Sequence, residues 1–178
     1  MLGAWDWLRG AKNIPAGRIW LFWVSLGAGA AIIAGGEESQ VAAVWEDSGY
    51  ADLTATFRYQ VGHYRLPGFM ADLAMEAGRL RGEDVQTRPV DSLVRLAGRP
   101  IAIVHGDADD SVPIGQGREL AAAAQAQSDR VSVWFLPGVG HGGAMWTEPA
   151  EYERRLLAFF DASIGAGSLG WTAPPASA

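Results

Sequence analysis

Residues 99–113 read RPIAIVHGDADDSVP and residues 130–143 read RVSVWFLPGVGHGG. Each stretch opens on a near-continuous apolar run, the pattern of a strand covered on both faces, and each breaks at glycine or proline. The first break carries Asp107, Asp109 and Asp110, and the second carries His141. Between them, Ile114–Gln127 is alanine-rich and reads as a helix. A strand, a helix and a second strand, with polar side chains directly after each strand, is the layout of a parallel sheet, whose chemistry sits at the C-terminal ends of its strands.

The same alternation extends toward the N-terminus. Arg18–Val24 predicts a strand and Leu26–Gly36 a small-residue helix, with Ser25 at their junction. Val41–Trp45 predicts another strand, ending at Glu46-Asp47-Ser48-Gly49. Residues 2–12, 52–63, 68–81, 89–97 and 148–163 read as helices. The first places Leu2, Trp5 and Leu8 on one face, and the last is amphipathic through Tyr152, Leu156, Leu157, Phe159 and Phe160. The expected fold is α/β: a parallel sheet of about four strands flanked by helices. One domain spans 1–164, a helical cap-like insert covers 52–97, and 165–178 is expected to be a disordered Gly/Pro/Ala/Ser tail.

A serine becomes a nucleophile when a histidine takes its proton and a carboxylate orients that histidine. Ser25, Asp109 and His141 each follow a predicted strand, at spacings of 84 and 32 residues. The order serine, aspartate, histidine is that of one hydrolase fold, which lifts its serine on a sharp strand-to-helix turn with small neighbours. Gly27 meets that need. Trp23, two residues before the serine, is expected to push the helix away or twist Ser25 out of line.

On these residues the chain resembles the C-terminal part of the α/β-hydrolase superfamily, in its prolyl-oligopeptidase-like and dienelactone-hydrolase-like branch. RPIAIVHGDADDSVP looks like the acid loop, FLPGVGHGG the histidine loop, VSLGAGAAI the nucleophile turn, VWEDSGYADL the segment after the following strand, and EYERRLLAFFD the closing helix. The resemblance spans residues 5–164. It implies Ser25 as nucleophile, Asp109 rather than Asp107 or Asp110 as triad acid, His141 as general base, and the N–H of Leu26 as an oxyanion-hole donor. It implies no metal or cofactor, and a small-molecule ester or peptide as substrate. His105 is expected to end its strand and stabilise the acid loop. The family fold has about eight strands, so a truncated fold is expected, with a second oxyanion donor missing and hydrolysis weak or absent. A non-catalytic hydrolase remnant is therefore the alternative.

Other classes fit less well. Fourteen basic against twenty acidic residues give a net charge of −6 and pI near 5.0, which offers nucleic acid and anionic membranes no electrostatic attraction. Without cysteine there is neither disulfide nor thiolate chemistry. Met1–Lys12 does not read as a signal peptide, and a cytoplasmic protein is expected. Ile19–Gly36 holds eighteen residues without charge, but its change of character at Ser25 predicts a strand meeting a helix rather than a membrane span. Gly27-Ala28-Gly29 after a strand, with Glu46 some twenty residues on, suggests dinucleotide binding, although Ile32 stands where a third glycine belongs. Asp107, Asp109 and Asp110 lack the spacing of a calcium loop. Finally, the strand at 19–24 is expected to lie at a sheet edge with little protection, so self-association through it is anticipated.

Overall fold

The computed structural model describes residues 1–165. Its secondary structure alternates as expected: α1 (Leu2–Gly10), β1 (Leu21–Val24), α2 (Leu26–Glu37), β2 (Val44–Asp47), α3 (Leu53–His63), α4 (Phe69–Leu80), α5 (Pro89–Ser92) continued by a 3-10 turn at Leu93–Leu96, β3 (Ile101–Gly106), α6 (Ile114–Gln125), β4 (Val131–Leu136), α7 (Ala144–Thr147) and α8 (Pro149–Gly165). Gly165 closes α8, and the rest of the expected tail lies outside the described residues.

The four strands form one parallel sheet in the order β1-β2-β3-β4. Side chains alternate across it, and each face buries its own core. One face carries Leu21, Val44, Ile101 and Ile103 against Ala31 and Ile32 of α2 and Leu120, Ala121 and Ala124 of α6, with Trp5 of α1 at its margin. The other carries Trp45, Ala102, Val104 and Leu136 against Tyr152, Phe159 and Phe160 of α8. Trp45 anchors this second core, with the rings of Tyr152 and Phe159 edge-on at 5.6 Å. Arg99 joins layers on the first side. Its guanidinium donates to the carbonyls of Gly35 at 2.7 Å and Glu38 at 2.8 Å, closing the carbonyl end of α2.

β2 begins three residues later than its apolar run suggests, so Glu46 and Asp47 belong to the strand and are wholly buried. The segment 52–97 divides in two. Leu93 and Leu96 enter the core beside α2, whereas the α3–α4 hairpin leaves Tyr64, Leu66, Phe69, Leu73 and Leu80 exposed. Among the described residues β1 is paired on one side only, and its Phe22 and Trp23 are exposed. Among the described residues no helix is long and apolar enough to cross a membrane.

Candidate active site

The C-terminal end of β1 turns directly into α2 at Ser25, whose φ of 60° and ψ of −129° lie in a region that side-chain-bearing residues seldom occupy. Such a conformation costs about 1–3 kcal/mol and persists only when its surroundings hold it. Here the Ser25 N–H donates to the Asp47 carbonyl at 2.8 Å, and the Ala28 N–H donates back to the Ser25 carbonyl at 2.9 Å. The turn lifts the hydroxyl clear of the sheet, and Leu26 starts α2 with its side chain exposed.

The acid and histidine loops leave the neighbouring ends of β3 and β4 and interlock through the backbone. Asp107 N–H donates to Leu136 O at 2.9 Å and Ala108 N–H to Val139 O at 3.0 Å, while the Asp107 carboxylate accepts from Gly138 N–H at 2.6 Å. The chains approach so closely that a Cβ on Gly106 would overlap the Val139 carbonyl, which is why glycine ends β3.

These loops bring the three predicted side chains into one hydrogen-bonded series. His141 Nε2 lies 2.7 Å from Ser25 Oγ, and His141 Nδ1 lies 2.7 Å from Asp109 Oδ2. Asp109 is buried; its Oδ1 accepts from the N–H groups of Ser111 at 2.9 Å and Val112 at 2.7 Å. Burial alone would raise its pKa. His105, His141 and the two backbone donors outweigh burial and hold the carboxyl well below the ordinary range. Asp109 therefore stays an acceptor, with His141 Nδ1–H as donor.

Trp23 does not disturb this line, contrary to the sequence expectation. Its indole lies across Gly27, where any Cβ would overlap it, and leans outward at the sheet edge with 55% of its surface exposed. The missing side chain of Gly27, rather than a small residue at 23, makes room for the turn.

Other assignments find physical counterparts. His105 is wholly buried, with Nε2 2.8 Å from the Val112 carbonyl and 3.4 Å from Asp109 Oδ2. The dinucleotide reading loses its acid, because Glu46 is wholly buried, with one oxygen accepting from Gly49 N–H at 2.9 Å, and cannot reach a ribose; a Cβ on Gly29 would meet the Tyr50 ring. Sequence reasoning gave no site role to Asp47, Ser48 or Tyr152. Ser48, at a φ of 55°, donates its hydroxyl proton to Asp47 at 2.9 Å and accepts from Gly142 N–H at 3.0 Å, while Tyr152 donates to Asp47 Oδ2 at 2.9 Å. This network ties the residue after His141 to β2 and α8. Burial pushes the Asp47 carboxyl upward, against these hydrogen bonds. Two acidic residues closing an apolar run were the available signal.

Comparison with known proteins bears on the family and the fold. The family model of the prolyl oligopeptidase family matches residues 3–167. Similar solved structures include a Pyrococcus furiosus esterase (19% identity, TM-score 0.69, covering 89% of this chain and 58% of that one). A puromycin-hydrolyzing peptidase of Mycobacterium tuberculosis matches at 19% identity and TM-score 0.71, over 91% of this chain and 24% of that one. An acylaminoacyl peptidase of Pyrococcus horikoshii matches at 15% and 0.65, over 89% and 26%. At these identities the likeness is one of fold, and the chain spans well under two thirds of the length of each. No curated protein matches significantly. From the family match, over nearly its whole length, the chain belongs to the prolyl oligopeptidase family.

Proposed function

We propose that this chain is a serine hydrolase acting on carboxylic esters or peptide-like acyl groups. The observation that carries the reading is the unbroken series Ser25 Oγ, His141, Asp109, with both links at 2.7 Å and the serine on a strained strand-to-helix turn. His141 Nε2 takes the hydroxyl proton as Oγ attacks the substrate carbonyl carbon, giving a tetrahedral oxyanion. The oxyanion collapses as the bond to the leaving group breaks, and His141 returns its proton to that group. Water, deprotonated by the same nitrogen, then attacks the acyl-enzyme, and Ser25 is regenerated with release of the acid. Asp109 accepts from Nδ1–H throughout and stabilises the imidazolium.

The Leu26 N–H, at the first position of α2, is a donor for the oxyanion, supported by the positive end of the helix. Removing such a donor costs about two to three orders of magnitude in turnover. The esterase and peptidase names of the similar structures suit an acyl substrate. Hydrolysis of p-nitrophenyl acetate by the purified chain tests the reading. A rate above background, abolished in Ser25→Ala and in His141→Ala, supports it. A rate that both variants retain overturns it.

A further inference from the structure

Behind Asp109, away from Ser25, lie two ionisable side chains that the proposed chemistry does not use. Glu46 on β2 pairs in register with Ile103 on β3, which places Glu46, Ile103 and His105 on one face of the sheet, under α2 and α6. Both Glu46 and His105 are wholly buried. One Glu46 oxygen accepts from Gly49 N–H; the other, Oε1, has no hydrogen-bond partner among the described residues, and neither has His105 Nδ1. α6 closes over the ring so tightly that a Cβ on Gly117 would come within 2.7 Å of Nδ1. On its other edge, His105 faces the same Asp109 oxygen that holds His141.

An uncompensated carboxylate in such a place is costly, and a buried acid usually keeps its proton instead. We propose that Glu46 and His105 form a buried positioning pair beneath Asp109: His105 fixes the carboxylate that orients His141, and the proton on Glu46 keeps a second negative charge away from it. The inference rests on the hydrolase reading for its consequence, not for its geometry. Burial, outweighing the field of His105 and the Gly49 hydrogen bond, pushes the Glu46 carboxyl up to about 8. Burial acts to lower the pKa of His105, but Asp109, the Val112 carbonyl and Glu46 together raise it.

The groups that face the pair are few. Asp109 and the Val112 carbonyl face His105 from the acid loop, and Gly117 of α6 brings no charge. Asp47 adjoins Glu46 on β2 and feels both His105 and His141. Tyr152 of α8 lies within the field of Asp47 and Glu46. Glu46, pushed up to about 8, loses its proton on passing that pH, and the new charge then favours the protonated form of the histidines above it.

The full-length chain tests this with two readouts. One is the low-field proton resonance of His141 Nδ1–H in the Asp109 hydrogen bond. The other is the rate at which a fluorophosphonate labels Ser25. Both should show a step centred near pH 8, a few-fold in the labelling rate, and Glu46→Gln should abolish the step while leaving values at pH 6 unchanged. His105→Gln should instead weaken the low-field signal at every pH. If Glu46→Gln does not fold, the infrared band of the protonated Glu46 carboxyl in the native chain serves in its place and should vanish near pH 8. A step that persists in Glu46→Gln, or a Glu46 already ionised at pH 6, overturns the proposal. If Ser25 resists labelling but the resonance shows the Glu46-dependent step, the pair stands and the hydrolase reading falls.

Discussion

The two halves of the candidate site are held in different ways. Asp109 and His141 stand on β3 and β4, whose loops share backbone hydrogen bonds, glycine-only contacts and a buried carboxylate network reaching β2 and α8. Ser25 stands on β1, which pairs with β2 alone and keeps Phe22, Trp23 and Leu26 exposed. The proposed base and the acid proposed to orient it are therefore placed redundantly. The proposed nucleophile depends on one turn, one neighbouring strand and one glycine beneath an indole. The fold's central chemistry can thus be geometrically complete while its outer part tolerates an unusual residue such as Trp23.

The comparison can be broken most strongly on the well-held side. Asp109→Asn keeps the shape of the side chain but favours the wrong His141 tautomer, and should slow fluorophosphonate labelling of Ser25 by about three to four orders of magnitude. Near-normal labelling would show that the acid loop contributes little. Gly106→Ala forces a Cβ into the Val139 carbonyl, a contact that backbone must give way to. It should destabilise the chain by about 3 kcal/mol in urea unfolding, and an unchanged midpoint would mean that the loops are not interlocked as described.

On the weakly held side the effects should be smaller in stability and visible in reactivity. Gly27→Ala gains about 1 kcal/mol of helix propensity but displaces an indole that has solvent to move into. Its unfolding midpoint should change little, while labelling slows by up to about 100-fold, the size expected when a nucleophile shifts by about 1 Å. Gly27→Ala combined with Trp23→Gly should recover the rate; failure to recover would place the fault elsewhere than in the indole. The smallest effect concerns the edge of β1, which we propose self-associates through its unpaired backbone and the exposed Phe22. Light scattering on a sizing column should show concentration-dependent association, reduced by Phe22→Lys. A monomer at every concentration would contradict this.

Most of the architecture was legible because β3 and β4 are apolar on both faces and are followed at once by polar loops, so that the acid loop and His141 announced their places by position, while the choice of Asp109 over Asp107 and Asp110 came from the family resemblance. The register of β2 was not. Glu46 and Asp47 look like the start of a loop, and they stay in the strand because Gly49 N–H holds one oxygen of Glu46 while Ser48 and Tyr152, the last over a hundred residues away, donate to Asp47 in the interior. The orientation of Trp23 was equally hidden. It depends on the outer side of β1 being open and on Gly27 offering no side chain, neither of which is a local property of residue 23. Tyr152 showed only as one apolar position of an amphipathic helix, and its hydrogen bond to Asp47 belongs to the tertiary fold.

On the proposed function, this four-strand sheet presents Ser25 as an activated nucleophile. Reaction of the native chain with a fluorophosphonate, followed by mass spectrometry of the modified peptide, addresses it directly. The expected result is one adduct per chain, on Ser25, which does not form when the chain is unfolded before labelling or in His141→Ala. An unreactive Ser25 in the folded chain, or an adduct formed equally well without His141, would contradict it.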